Sequence, residues 1–310
     1  MSEITLRQLQ YYVSVIDHGS VTAAAISCHI SQAAASMAVG QLEKTVGAAL
    51  FIRTRSKKVV PTPAGIEFAA HARAILERVA EASDAVAESL AEMRGPLRIG
   101  CSHTLSPRLM PGLVDHFVSN HPLVDVGFHE AAPSVLQEDV RNGRLDVALV
   151  YEQQADDDLE HARIAKVRLH VVLSASHKLA GRSSIYLAEI AHEPAILLDV
   201  PPTVERLTAV IQAAGVEPRI RWTSSNMETI RAMVARGLGY SFMNSPPSTG
   251  TTYDGGEVVF IPVADRTAEN AIVAVRPAGQ QAPRRVRAVI DFLRETGHAI
   301  QNQDSHDDCP

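Results

Sequence analysis

Gly19-Ser20-Val21-Thr22-Ala23-Ala24-Ala25-Ile26, then Ile30-Ser31-Gln32-Ala33-Ala34-Ala35-Ser36, then Gln41-Leu42-Glu43 and Leu50-Phe51-Ile52-Arg53-Thr54-Arg55, is the stretch that decides this fold. Its spacing predicts two helices with a tight connection, followed by a basic hairpin. Ser20 is placed to cap the first helix, whose Ala-rich inner face lets a neighbour approach closely. The Ser31-Gln32 pair opens the second helix with short polar residues. Such a helix end enters a DNA major groove, where Gln and Ser reach base edges and free backbone N–H groups meet phosphate. The run Arg53-Thr54-Arg55-Ser56-Lys57-Lys58 then supplies charge for the sugar-phosphate backbone, whatever the bases.

Working outward, Leu6, Leu9, Tyr12, Val13 and Ile16 mark a helix over Leu6 to Asp17. Further helices are expected at Val21 to Ser27 and Gln32 to Val46, with Gly47 as the stop. Phe51 to Pro61 reads as a two-stranded wing with Arg55-Ser56-Lys57 at its tip. This pattern resembles the winged helix-turn-helix of LysR-type transcriptional regulators. Thr62-Pro63 then starts a long helix, with Thr as cap and Pro in the first turn. It meets no Gly or Pro between Gly65 and Arg94, a rod of about 45 Å. Ala69, Ala72, Leu76, Val79, Ser83, Val86, Leu90 and Met93 alternate steps of three and four. That heptad seam suits a partner helix in a homodimer; the alternative is a helix packed on its own domain.

Gly95-Pro96 breaks the rod, and strand Leu97 to Gly100, helix Ser106 to Asn120, strand Val124 to Phe128, helix Val135 to Asn142 and strand Val147 to Val150 follow. This βαβαβ order implies a parallel sheet covered by helices. A second set comprises strands Leu169 to Ser174, Ala195 to Asp199, Arg219 to Trp222 and Tyr240 to Met243, with helices Thr203 to Ala214 and Asn226 to Arg236. Strand Ala271 to Val275 and helix Arg284 to Thr296 close the chain. The arrangement resembles the effector domain of the same regulators, itself akin to periplasmic binding proteins. The fold class expected is therefore α/β overall: an all-α winged helix-turn-helix (1–61), a linker and dimerisation helix (62–95), and a bilobal α/β domain (96–296). Lobe I is expected at about 96–167 and 277–296, lobe II at about 168–276, and 297–310 as a disordered tail.

The 46% hydrophobic and 21% charged content of the 310 residues is that of an ordinary soluble globular protein. A net charge of −6 argues, taken alone, against a nucleic-acid binder. Placement matters more than the sum: Lys44 to Lys58 holds five basic residues and no acid. Met1-Ser2-Glu3 does not open a signal peptide, and no apolar run approaches the roughly 20 residues of a membrane span. A cytoplasmic protein is expected. The three cysteines, Cys28, Cys101 and Cys309, are too few and too scattered for a disulfide framework.

The resemblance implies base or phosphate contacts at Thr22, Ser31, Gln32, Ser36, Arg53 and Arg55, to which the charge pattern adds Lys57 and Lys58. The departures from the family are Ala33 in place of a frequent Pro, and Met37, Gly40 and Gln41 where basic residues are frequent. Fewer phosphate anchors on the second helix shift affinity to the wing and lower the salt slope. In the bilobal part, polar residues gather at C-terminal strand ends, where α/β sheets hold ligands. These are Ser102, His103 and Thr104, then Tyr151, Pro202 with Thr203, Ser225 with Asn226 in an apparent capping box, and Asn244. Helix N-termini attract anions, so a small carboxylate is the expected effector. Each Ser or Thr also reads as a plain structural cap.

Cys28 reads either as a small buried hydrophobe or as a redox-sensing thiol with His29 beside it. No nucleophile elbow, zinc motif or phosphate loop occurs, so neither catalysis, nor a metal, nor a cofactor is expected. Asp156-Asp157-Asp158 reads as a solvated loop, and His298, His306 and Cys309 as parts of a solvated tail. The chain is thus expected to regulate transcription on promoter DNA, as a homodimer and then a tetramer, with RNA polymerase as a candidate partner. Its rivals are a regulator sensing redox state through Cys28, and a ligand-binding module without DNA readout.

Overall fold

The computed structural model describes residues 3–53, 59–87, 93–201, 203–244, 246–279 and 281–304, and their side chains except at 53, 77, 80–87 and 298–304. The chain divides into two compact units, Met1–Arg94 with Glu138–Asp146, and Gly95–Gln137 with Val147–Pro310.

In the first unit, α1 (Leu6–His18) opens with a capping box between Thr5 and Gln8 and ends at Gly19, whose left-handed φ of 59° turns the chain. Ser20 caps α2 (Val21–Ser27), Ser31 caps α3 (Gln32–Val46), and Gly47 ends α3 at φ 76°. β1 (Phe51–Arg53) pairs antiparallel with β2 (Val59–Pro61) to form the base of the wing. The expected wing tip, Arg55-Ser56-Lys57, lies outside the described residues. Thr62 accepts the Gly65 N–H at 2.9 Å and so caps α4 (Pro63–Ala87). The core gathers Leu9, Tyr12, Val15, Ala24, Val39, Leu42, Leu50 and Phe51. Tyr12 is fully buried, donates to the Gly65 carbonyl at 2.6 Å and packs its ring on Phe51 and Phe68.

The first half of the expected seam is corrected here. Ala69 and Ala72 are buried in this unit's own core, and Leu76 packs against it. Small side chains suit close approach to α1 as well as to a partner helix, so α4 spends its opening turns at home. Among the described side chains further along, the large apolar residues left exposed are Ile75 at 46% and Val79 at 40%. Met93 and Arg94, expected to end the rod, are already out of helical conformation.

After α4 come β3 (Gly95–Ser102), α5 (Ser106–Asn120), β4 (Val124–Ala131), α6 (Pro133–Arg141, in the second unit up to Gln137) and β5 (Val147–Tyr151). A 3₁₀ turn (Glu152–Gln154) leads to β6 (Leu159–Val167), a strand the sequence reading missed. Then come β7 (His170–Ser174), α7 (Leu187–Ile190), β8 (Pro194–Leu198), α8 (Thr203–Ala213), β9 (Arg219–Ser224), α9 (Met227–Ala235) and β10 (Ser241–Met243). The chain closes with β11 (Val258–Pro262), also missed, then β12 (Asn270–Pro277) and α10 (Arg284–Asp304).

One sheet has the order β4-β3-β5-β12-β6. Its β4, β3 and β5 are parallel, as the βαβαβ order requires, while β12 runs antiparallel to β5 and β6. The second sheet, β10-β7-β11, is joined to the parallel pair β8-β9 by a bridge from Ala195 to Tyr240. β12, expected to end the second lobe, therefore belongs to the first sheet. The chain crosses between sheets twice, at 168–169 after β6 and at 263–269 before β12. α10 runs eight residues beyond the expected end at Thr296. Gly297 does not stop it; an added Cβ there would stand 3.3 Å from Ala165, so the glycine admits close packing of α10 on β6.

Candidate functional site

On α3 the inward residues Ala35, Val39 and Leu42 are buried. Ala33, Met37, Gly40 and Lys44, at spacings of four, three and four, form the outward ridge. Met37 is 70% exposed. Ser31 spends one lone pair on the Ala34 N–H at 3.1 Å, leaving its hydroxyl hydrogen to donate. Thr22, Gln32 and Ser36 are exposed. Glu43 accepts from the Leu50 and Phe51 amides at 2.8 and 3.1 Å, fixing the start of the wing against α3. Arg53 ends β1; its side chain, and all of Arg55, Lys57 and Lys58, lie outside what is described.

In the second unit a cavity of roughly 90 Å³ lies where both crossings meet the strand ends. Thr104 reaches it from the turn after β3, and Tyr151 from the end of β5. Thr203, Arg206, Leu207 and Val210 come from α8, and Met243 with Asn244 from the end of β10. Gln153 and Gln154 from the 3₁₀ turn, and Thr267 and Asn270 from the second crossing, complete the polar lining. Val167, Leu169, Leu198, Met227 and Phe242 supply the apolar walls.

Gln137, fully buried on α6, holds the 3₁₀ turn by donating to the Gln154 carbonyl at 2.9 Å and accepting the Asp156 amide at 2.6 Å. Gln154 then reaches Thr203 Oγ1 at 3.4 Å, while its own Oε1 is buried with no hydrogen-bond partner among the described residues. Asn270 Oδ1 accepts from the Gln153 and Ala271 amides at 3.3 and 3.0 Å. Burial pushes the Tyr151 hydroxyl far above its ordinary pKa, partly offset by its hydrogen bond with Thr104. Desolvation lowers the pKa of Arg206, with the Asp156 carboxylate acting the other way. Arg206 lines the cavity and forms no salt bridge among the described residues.

Four expected effector residues, Thr104, Tyr151, Thr203 and Asn244, are thus brought together. The others are not. Ser102 is the last residue of β3 and is buried in the sheet, not past its end. His103 is exposed and absent from the cavity lining. Ser225 and Asn226 are exposed as well, and the apparent capping box is off by one residue. Asn226 itself caps α9, accepting from the Glu228 and Thr229 amides at 2.8 and 3.2 Å, while Glu228 turns to Arg231. Pro202 lies outside the described residues. Arg206, Gln154 and Asn270 were missed; a polar residue on a helix face or in a turn carries no local sign that a cavity lies beneath it.

Cys28 is a half-buried free thiol after α2, and Cys101 a buried one in β3. Burial, reinforced by Glu130, pushes the Cys101 thiol well above its usual range. Among the described residues no cluster of three His, Cys, Asp or Glu could hold a metal ion, and no helix is long and apolar enough to cross a membrane.

The family model for the bacterial regulatory helix-turn-helix protein, lysR family, matches residues 6–66, and that for the LysR substrate binding domain matches residues 91–297. A hydrogen peroxide-inducible genes activator of Pectobacterium carotovorum subsp. carotovorum is 25% identical over 94% of this chain and 96% of its own length. The crystal structure of HinK, a LysR family transcriptional regulator from Pseudomonas aeruginosa, is 31% identical with a TM-score of 0.62, covering 95% of this chain and 99% of HinK. A full-length OxyR variant from Pseudomonas aeruginosa is 25% identical with a TM-score of 0.79, covering 95% and 96%. The helix-turn-helix match sets aside the rival of a ligand-binding module without DNA readout. With both models matched in order across most of its length, the chain belongs to the LysR family and is a LysR-type DNA-binding transcription regulator.

Proposed function

We propose that this regulator answers to a small carboxylate held in the cavity beside Arg206, and that it works by binding, without catalysis. The observation that carries the proposal is Arg206 in the lining of a partly apolar cavity, desolvated and without a salt bridge among the described residues. An anion there regains for Arg206 the interaction that desolvation removed. A cavity of roughly 90 Å³ suits a small effector. The unpartnered Gln154 Oε1 favours one that also carries a hydroxyl or ammonium donor.

The test is thermal unfolding of the full chain with a panel of short hydroxy- and amino-carboxylates, their amides alongside. Saturation at 100 times Kd stabilises by about 2.7 kcal/mol. Arg206→Gln should abolish the response and Thr104→Val should weaken it. Amides stabilising as well as acids, or an Arg206→Gln protein responding in full, would refute the carboxylate.

The protein is proposed to act as a homodimer joined along α4 and then as a tetramer, with paired winged domains on two half-sites of an inverted repeat of promoter DNA. RNA polymerase is the proposed downstream partner. The exposed Ile75 and Val79 support the α4 contact. Thr22, Ser31, Gln32 and Ser36 are proposed to contact the DNA, joined by the basic wing. A second reading, peroxide response through Cys28, is favoured by the name of the Pectobacterium relative and by Cys28 being the more accessible of the two described thiols. A Cys28→Ser protein with an undiminished peroxide response removes it.

A further inference from the structure

Met37 stands at the centre of the outward ridge of α3, between Ala33 one turn before and Gly40 one turn after, at 70% exposure. The Gly40 position has nothing within 4 Å where a side chain would be, and the surface dips there between Met37, Gln41 and Lys44. Lys44 is the one cation on this ridge, about 16 Å along the axis from Ala33. The middle of the helix therefore offers a groove an apolar, polarisable and flexible side chain with open space beside it.

Major-groove edges carry hydrogen-bond donors and acceptors at every base pair, and a single kind of apolar group, the 5-methyl of thymine. A thioether donates nothing and accepts weakly. Against guanine it would strip water from O6 and N7 and return no bond, which is unfavourable. Against thymine it removes two apolar surfaces from water together, and Ala33 widens the same contact. We propose that Met37 reads the 5-methyl group of a thymine in each half-site, with Ala33 flanking the contact, so that base choice at this step rests on apolar burial and not on a basic side chain. This rests on the DNA-reading assignment of α3 above.

The experiment uses the full-length protein. Double-stranded sites are enriched from a random pool, and the best site is resynthesised with each dT replaced singly by deoxyuridine, which removes the methyl and nothing else. At one thymine per half-site the wild type should lose about fourfold in affinity, the ratio expected for one methyl-sized group. Met37→Ala should bind thymine and uracil sites equally, and Met37→Leu should keep the discrimination. Met37→Arg should move the enriched base from thymine to guanine. Because Met37 is largely exposed, none of these variants disturbs the core. A specific site whose uracil scan is flat, or a uracil penalty unchanged in Met37→Ala, overturns the methyl reading while leaving DNA recognition intact. A pool from which no sequence is enriched overturns both.

Discussion

Replacing Gly65 by Ala sets two effects of opposite sign against each other. Gly65 is in the first turn of α4, and Ala there gains up to about 1 kcal/mol in helix propensity. The added Cβ would stand 2.1 Å from the Leu50 carbonyl oxygen, 3.0 Å from its carbon and 3.2 Å from the Tyr12 hydroxyl. A carbon–oxygen contact needs roughly 3.3 Å, so backbone must move by about 1 Å. Both groups in the way are committed: Leu50 O accepts the Thr62 amide at 3.0 Å, and Tyr12 donates to the Gly65 carbonyl at 2.6 Å. Overpacking costs about 1–3 kcal/mol and a lost buried hydrogen bond about 1 kcal/mol more. The clash outweighs the propensity, leaving the first unit less stable by about 1–3 kcal/mol. Trp222, the one tryptophan, lies in the second unit, so its fluorescence is blind to this change. Amide hydrogen exchange over 42–70 is the suitable readout, and it should quicken roughly 5- to 150-fold. Gly112→Ala is the matched control: it lies inside α5 with nothing within 4 Å, so it should stabilise the second unit. Unchanged exchange in Gly65→Ala, or a destabilised Gly112→Ala, refutes the reasoning.

Burial opposes the charge of Glu193, yet hydrogen bonds from His177 at 2.9 Å and Lys178 at 3.1 Å outweigh it and hold the carboxyl below its ordinary range. A depressed folded pKa means stability present above the unfolded pKa and lost as pH falls through the folded one. Glu193→Gln should therefore cost about 1.5–3 kcal/mol near neutrality by Trp222-monitored urea unfolding, with the gap to wild type closing below about pH 4. Arg231, buried on α9, ties Glu228 at 2.6 Å and the Thr249 and Thr251 carbonyls at 3.2 and 2.9 Å. Arg231→Met should free the following loop and speed chymotryptic cleavage at the exposed Tyr253; an unchanged rate would contradict the anchoring. Ile75→Glu should shift the sedimenting species from dimer to monomer, and a dimer of wild-type strength would remove α4 from the proposed contact.

What the sequence made legible is what local chemistry decides. Ser20, Ser31 and Thr62 accept from amides three residues on, and Gly47 donates to the carbonyl four residues back; each was readable without a partner element. β6 escaped because it is an edge strand of mixed polarity, Leu159-Glu160-His161-Ala162-Arg163, whose charges pair sideways with Glu152 and Arg276. No apolar run announces such a strand. Ala69 and Ala72 kept their period, but a period says that a face is buried and not which neighbour buries it. Arg206 is harder still. On α8 it has the ordinary spacing of a solvated residue, and the two chain crossings alone bring the cavity beneath it.

The cavity also sets how strongly an effector can act. Among the described residues, side-chain bonds that join elements of the first sheet to the second include Arg108 to the Pro246 carbonyl at 2.7 Å and the long Gln154–Thr203 contact at 3.4 Å. An effector whose carboxylate accepts from Arg206 while its hydroxyl or ammonium donates to Gln154 Oε1 supplements the weaker link with a charge-assisted one, worth about 1.5–3 kcal/mol. Only the part of that energy that differs between two arrangements shifts their balance. Moving an equilibrium from 1:99 to 99:1 takes about 5.5 kcal/mol, more than one such site supplies. Two sites acting on one dimer approach it. Effector should therefore change operator affinity by about ten- to hundredfold per occupied protomer, and by the square of that ratio for the dimer. Mixed dimers carrying one Arg206→Gln protomer are the test. They should show the square root of the wild-type ratio, and a ratio equal to wild type would mean that the two cavities do not share the work.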